Sequence, residues 1–325
     1  MDKRGNGKVN QSVPGSSCDG FKGIRLLKME QRGLFSAFRA FTAFSILLIF
    51  FSRVSPAPCG QPTPDQEQAY LQKITQESSD PVGELWLITN QLNLNLQQAP
   101  KNRNFQNDKP EFNYNFQPVL KFDLSSDWRL VTRPLVPLYD SPLAKGATSV
   151  DFAFGLGDIN FKALLSPNTK GPGFRWGIGP SAILPTATDT RLGNGKWQLG
   201  GALAALYLDE KWVVGMFPEH WWSVAGDPTR QAVSLTRIDY FIWYSPAPTW
   251  QVGMSPTATI DWLQKNSDDA VTLPVGLGVS KTVLFGKLPV KFGVEADYAV
   301  IRPRRVAGDE WAFKFSIIPV IPELF

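Results

Sequence analysis

Between Glu111 and Leu124 every second residue is apolar: Phe112, Tyr114, Phe116, Pro118, Leu120, Phe122 and Leu124 alternate with Glu111, Asn113, Asn115, Gln117, Lys121 and Asp123, and Val119 alone breaks the polar set. Successive side chains of a strand point to opposite faces, so this stretch has one apolar and one wet face along its whole length. The pattern recurs about a dozen times in segments of roughly 9 to 12 residues, the length of a strand that crosses an outer membrane. The chain is therefore expected to be all-β, an antiparallel transmembrane β-barrel of about 12 strands, with its apolar face on lipid and its polar face inward.

The alternation can be followed strand by strand. Near Leu85 to Gln97, Leu92, Leu94 and Leu96 oppose Asn93, Asn95 and Gln97; from Trp128 to Tyr139, Leu130, Val136 and Leu138 oppose Arg129 and Arg133. Ile159, Phe161, Ala163 and Leu165 oppose Asp158, Asn160, Lys162 and Ser166, and Ile238, Tyr240 and Ile242 oppose Arg237 and Asp239. Val290, Phe292, Val294 and Tyr298 oppose Lys291, Glu295 and Asp297, and a last strand sets Trp311, Phe313, Phe315 and Ile317 against Lys314 and Ser316. The strands that start at Trp197 and Trp212 are apolar on both faces, so their inside and outside stay open.

The connections alternate as well. Those after odd strands, such as Gln98 to Pro110, Asp140 to Asp151 and Ala187 to Lys196, are long, and those after even strands, such as Ser125 to Asp127 and Asp209 to Lys211, are short. Long extracellular loops and short periplasmic turns alternate in outer-membrane barrels, and an even strand count puts both termini in the periplasm. Trp86, Trp128, Trp176, Trp197, Trp212, Trp250 and Trp311 stand near strand starts and Trp222, Trp243 and Trp262 near strand ends, where an indole meets the headgroups.

Composition alone would hide this, because 325 residues with 43% apolar content suit many globular proteins. Of the 33 basic and 29 acidic side chains, nine and three fall in residues 1–57, leaving 24 and 26 for the rest, so the body does not read as a nucleic-acid binder. Residues 1–57 are expected to be a signal segment: Arg32 and Arg39 precede a short apolar run from Ala40 to Ser52, with a cleavage site near Ala57 and a second candidate start at Met29. Residues 58–83, polar and rich in Pro, Gln and Ser with a helix-like patch at Tyr70, Leu71 and Ile74, form a periplasmic lead or a plug, and residues 84–325 the barrel. Cys18 and Cys59 are too few for a disulfide framework or a thiolate metal site.

Several short motifs stand in a fixed order: Gly155-Leu-Gly-Asp-Ile159, Trp176-Gly-Ile-Gly-Pro180, Leu184-Pro-Thr-Ala-Thr-Asp189, Leu192-Gly-Asn-Gly-Lys-Trp197 and Ser223-Val-Ala-Gly-Asp227. With them, roughly residues 75 to 325 resemble a family of bacterial outer-membrane transporters of the phenol-degradation MetA type, some of which carry the misleading name neuromedin U. The resemblance implies a channel or transporter in the outer membrane of a Gram-negative cell, with uptake of aromatic compounds for some relatives. That family has no established catalytic or ligand residues to transfer.

Chemistry is not expected. His220 is the sole histidine, and Ser223, three residues on, falls on the opposite face of a strand, so the two cannot act as nucleophile and base. Gly193-Asn-Gly-Lys196 lacks the spacing of a phosphate loop and is a turn into the next strand. No catalytic residue, metal site or cofactor is assigned. The expected partners are outer-membrane lipid, the barrel-insertion machinery and an unnamed small solute.

The inward charges are the functional lead. Counting along the strands puts Asn115, Gln117, Arg133, Asp158, Arg237, Asp239, Glu295 and Asp297 near mid-membrane depth as candidate pore-lining residues. Such groups are costly against lipid and acceptable facing water or one another. They either line a path for small solutes or close the interior as a polar core, and the excess of acids favours cations. Gly177, Gly179, Gly276 and Gly278 fall on the same inward phase, for wall curvature or for lumen space. The reading is a passive outer-membrane channel; a sealed barrel with structural or loop-mediated roles is the alternative, and a lipid-modifying enzyme stands further off.

Overall fold

The computed structural model describes residues 63–98, 110–145, 149–303 and 308–321. The signal segment, Met29, Cys18, Cys59 and Phe325 lie outside these residues. Twelve wall strands follow one another: β1 (Trp86–Gln98), β2 (Glu111–Asp123), β3 (Trp128–Thr132 and Val136–Lys145), β4 (Ser149–Leu156 and Ile159–Pro167), β5 (Gly173–Leu184) and β6 (Lys196–Leu208), then β7 (Trp212–Gly226), β8 (Ser234–Ala247), β9 (Trp250–Met254 and Thr257–Asp261), β10 (Val271–Phe285), β11 (Leu288–Ile301) and β12 (Gly308–Ile321). Each is antiparallel to the next, and β12 returns to β1 with Leu92 opposite Phe315 and Leu94 opposite Phe313, so the sheet closes and leaves no edge.

The interruptions have local causes. In β3 Pro134 has no N–H to give, and pairing is carried past it by Arg133 N–H to the Lys162 carbonyl (2.9 Å) and by Leu135 opposite Asn160. In β9 Pro256 does the same, with Tyr240 N–H donating to its carbonyl at 3.2 Å. In β4 the break falls at Gly157-Asp158, where Gly157 N–H still reaches the Pro137 carbonyl at 2.9 Å. The stretch expected to be a loop from Asp140 to Asp151 is instead mostly sheet: β3 runs on to Lys145 and β4 begins at Ser149, with Ser141 opposite Ala153. Polar residues such as Asp140 and Ser141 read as loop, yet their backbone groups are paired.

Exposure is inverted relative to a water-soluble protein. Leu277 is 68% and Phe174 61% exposed on the outer face, while Lys162 and Glu219 are 1% exposed on the inner one. Outward Ile178, Leu199, Met216 and Phe315 continue an apolar belt far larger than the patches a soluble monomer shows. Outward tryptophans mark both margins: Trp128 packs edge-on against Trp176 (6.1 Å between centroids) at the short-turn end, and Trp222 and Trp262 stand at the long-loop end.

The two ambiguous strands are resolved by what lies inside. Trp197, Leu199 and Leu203 of β6 and Trp212, Val214 and Met216 of β7 face out, whereas Ala202, Ala204, Leu206, Val213 and Phe217 face in and pack with Leu164, Phe241 and Val82. Trp243 departs from the expected girdle, and Trp221 joins it inside. Trp221 is buried inward with its indole N–H donating to Ser181 Oγ at 2.9 Å, and Trp243 packs against the inner apolar cluster.

That cluster exists because the chain before β1 enters the barrel. Helix α1 (Pro64–Glu77) starts at Thr63, whose hydroxyl caps Gln66 while the Gln66 side chain caps Thr63 in return. Its first turns are exposed and its last turn is buried in the short-turn mouth. Gln76 Nε2 donates to the Glu210 carbonyl in the β6–β7 turn (2.8 Å) and to Ser245 Oγ (2.9 Å), and Thr75 bonds Thr282 at 2.8 Å. Residues 78–85 then line the inside of the wall before β1 begins. Gly177 leaves room for Val82, whose Cγ1 would lie 3.0 Å from any Cβ there; at Gly179 a Cβ would meet the Ala163 carbonyl oxygen at 1.9 Å. Lumen space explains the first glycine and close approach of neighbouring strands the second.

Candidate functional site

The inner wall carries its charges in three groups, the first of them nearest the short-turn mouth. Lowest is Arg175 on β5. Its Nη1 donates to Glu77 Oε2 (2.7 Å) and Asp80 Oδ2 (2.5 Å), and its Nη2 to Glu77 Oε1 (2.8 Å) and the Gly171 carbonyl (2.8 Å). This is a fork-on-carboxylate contact between wall and entering segment, with all three side chains nearly buried. A little higher, Arg133 Nη1 donates to the Pro81 carbonyl at 3.1 Å and Nη2 to Gln117 Oε1 at 3.4 Å, with the guanidinium 5.1 Å from the Phe217 ring.

The middle group joins β4 to β9 across the interior. Lys162 Nζ donates to Glu219 Oε2 at 2.7 Å; Ser181 Oγ donates to Glu219 Oε1 at 2.9 Å and accepts from Trp221. Arg237, opposite Glu219 in register, makes two 3.0 Å bonds to Asp239, and Thr257 donates to Asp239 at 2.6 Å. The third group lies on β9, β11 and β12. Glu295 accepts from Ser255 N–H (2.6 Å) and Ser255 Oγ (2.7 Å), and Lys314 bridges to Asp297 (2.6 Å) and Glu295 (3.4 Å). Gly276 and Gly278 stand opposite these acids, where a Cβ would lie 1.9 Å from Asp297 Oδ1 and 2.9 Å from Glu295 Cβ, so their missing side chains house the carboxylates.

Of the eight residues singled out in the sequence, Asn115, Gln117, Arg133, Arg237, Asp239, Glu295 and Asp297 share the inner face. Asp158 has another place. It accepts from Ala187 N–H (3.2 Å) and Asn194 N–H (2.7 Å), and so pins the 185–195 loop at the long-loop end. Lys162, Arg175, Glu219, Lys291 and Lys314 were not singled out, and the four bases among them offset the apparent excess of acid. Glu219 was hidden by a strand whose other residues are apolar on both faces; the signal for it was a lone acid between Phe217 and Trp221.

Four of the five ordered motifs come together at the rim held by Asp158, and the motif of residues 176–180 lies lower on β5. Thr188 exchanges hydrogen bonds with Leu156 (3.0 Å each way), Thr186 Oγ1 accepts from Ile159 N–H at 2.9 Å, and Asp227 N–H donates to the Gly195 carbonyl at 3.0 Å. Arg230 adds bonds to the carbonyls of Thr190, Gly193 and Asn194. On this rim Asp189 and Asp227 are held below the usual carboxylate range, Asp189 at about 2 by hydrogen bonds from the Arg191 side chain and backbone, Asp227 by those from Thr229.

His220 and Ser223 are not brought together as base and nucleophile. His220 faces out, its Nδ1 2.7 Å from Thr236 Oγ1 and its ring against Trp222, while Ser223 Oγ accepts from Val233 N–H. Among the described residues no group of His, Cys, Asp and Glu is placed to hold a metal ion.

No family model matches this sequence, and no curated protein matches it. Among solved structures, an outer-membrane channel from Pseudomonas putida F1 superposes with a TM-score of 0.56 at 15% identity, over 73% of this chain and 94% of that one. The β-domain of the Bordetella autotransporter BrkA (TM-score 0.43, 13% identity, 73% and 100% covered) and the NanC porin (0.40, 9%, 70% and 98%) are more remote. The fold shared with the first is that of an outer-membrane β-barrel.

Proposed function

We propose that the protein is a passive outer-membrane channel for small solutes, closed from the periplasmic side by its own residues 63–85. The observation that carries this reading is the polar character of the contacts between that segment and the wall. Arg175 with Glu77 and Asp80, Gln76 with Ser245, Thr75 with Thr282 and Ser79 with Gln251 (2.9 Å) are all bonds that water can replace when the segment leaves. Above it the lining stays polar past Lys162, Glu219, Arg237 and Asp239, which suits hydrated solutes. The likeness in fold to the P. putida channel supports the same reading, and the motifs that resemble MetA-type transporters extend it to that family and to aromatic solutes.

The alternative, a permanently sealed barrel, is favoured by the inner apolar packing of Val82 and Ile74. Swelling of proteoliposomes separates the two. Vesicles carrying the full chain are expected to swell slowly in small sugars and in benzoate, and vesicles carrying the chain without residues 63–80 much faster. A folded, heat-modifiable barrel that stays impermeable after this deletion would establish the sealed form.

A further inference from the structure

Between Ser78 and Ser79 of the entering segment and the inner faces of β8, β10, β11 and β12 lies a cavity of about 160 Å³. A cavity of roughly this size holds a small organic molecule of about six heavy atoms. Lys291, 6% exposed, lines it. Its ammonium bonds only neutral groups, Ser79 Oγ and Gln251 Oε1 (2.6 Å each), and lies 5.7 Å from the Trp243 ring. Lys162, Arg175, Arg237 and Lys314 each have a carboxylate within 4 Å; among the described residues Lys291 has none. A buried cation without a counter-charge is costly, and an anion in the cavity would relieve it.

Ser280 points to the same spot. It is 4% exposed, lines the cavity, and its Oγ has no hydrogen-bond partner among the described residues. It stands opposite Gly293, and Lys291 opposite Thr282, so Ser280 and Lys291 are diagonal neighbours on one face, at about 7–8 Å, a gap that a carboxylate accepting from both would fill. Gly293 keeps the space open, since a Cβ there would lie 2.6 Å from Ser316 Oγ.

We propose that this cavity is a binding site for a short hydroxylated monocarboxylate, its carboxylate on Lys291 and Ser280 and its hydroxyls on Ser78, Ser79 and Ser316. One negative charge fits and two do not. Glu295 lines the same cavity, and with Asp297 it sets two carboxylates against the single Lys314, so a second charge on the solute would face like charge. The proposal rests on the channel reading only for the route by which the solute enters.

Calorimetry on the full chain in detergent tests it, with D-glycerate as the probe. Saturable one-to-one binding is expected, at least tenfold weaker for propionate, which lacks the hydroxyls, and for the dianion tartronate, and absent for glycerol. Lys291→Gln should weaken glycerate at least tenfold and Ser280→Ala several-fold, with Lys291→Arg restoring part of the loss and the heat-shifted gel band showing each variant folded. Equal binding of glycerol, tighter binding of benzoate, or an affinity indifferent to Lys291→Gln in a folded barrel would overturn the assignment. Swelling reports independently on permeation: an impermeable barrel that binds glycerate sinks the channel and keeps the site, and a permeable barrel without binding does the reverse.

Discussion

Replacing Arg175 by Met keeps the aliphatic stem and removes the guanidinium that joins wall to entering segment. Glu77 and Asp80 would then be left in place with side-chain exposures of 6% and 0% and no counter-charge. Removing one partner of a buried ion pair costs about 3–5 kcal/mol, because the other charge stays dehydrated. Here the cost falls on the closed state alone, since in the open state both carboxylates return to water. At about 1.4 kcal/mol per factor of ten, the open population should rise by roughly 10²-fold to a few thousand-fold. The reporter is Val82→Cys, a position 2% exposed in the closed form, in a Cys59→Ser background with a membrane-impermeant maleimide. When reclosing outpaces labelling, the labelling rate reads the open fraction directly. Arg175→Lys keeps the charge and loses the fork, so its protection should fall between wild type and Arg175→Met. If Arg175→Met leaves protection at position 82 unchanged in a folded barrel, the ion-pair group is not what holds the segment.

Truncation before Trp311 should abolish insertion, because β12 pairs with both β11 and β1 and its loss opens two edges in lipid; fractionation with heat-modifiability as the folding readout checks this, and normal insertion would mean that the wall closes otherwise. Asp189 is held at about 2 by Arg191, so its contribution to the 185–195 loop is complete above the ordinary carboxylate value near 3.9 and is lost as pH falls through about 2. Arg191→Ala should move the Asp189 carboxyl titration, followed by carbon NMR, part of the way up towards the ordinary range, since the backbone N–H of residue 191 still donates; an unmoved midpoint would show that the Arg191 side chain is not its cause.

The wall was legible because a period of two survives wherever one face meets lipid and the other meets charge, as in β2, β9 and β11. It failed where the interior itself is apolar. Ala202, Leu206, Val213 and Phe217 face Val82 rather than water, so β6 and β7 show no contrast between their faces, and Trp243 passes for an interfacial residue when counted by position alone. The entering segment was ambiguous because Pro, Gln and Ser suit a disordered tether and a polar filling equally; only the spatial positions of Ser245, Thr282 and Arg175, more than ninety residues away in sequence, give Glu77, Gln76 and Thr75 their partners. Lys162 and Glu219 were missed for the same reason. Their pairing crosses 57 positions and no periodicity reports it.

The long-loop rim is fastened twice, by Asp158 to the 185–195 loop and by Arg230 to that loop's carbonyls, so two neighbouring loops are tied to each other. If the barrel conducts as proposed, a fastened outer collar and a detachable inner stopper would make it a one-way listener. On that reading, a pull on residues 63–85 from the periplasm would change its resistance, whereas a molecule that grips the collar from outside would act on loops fastened to one another rather than to the stopper.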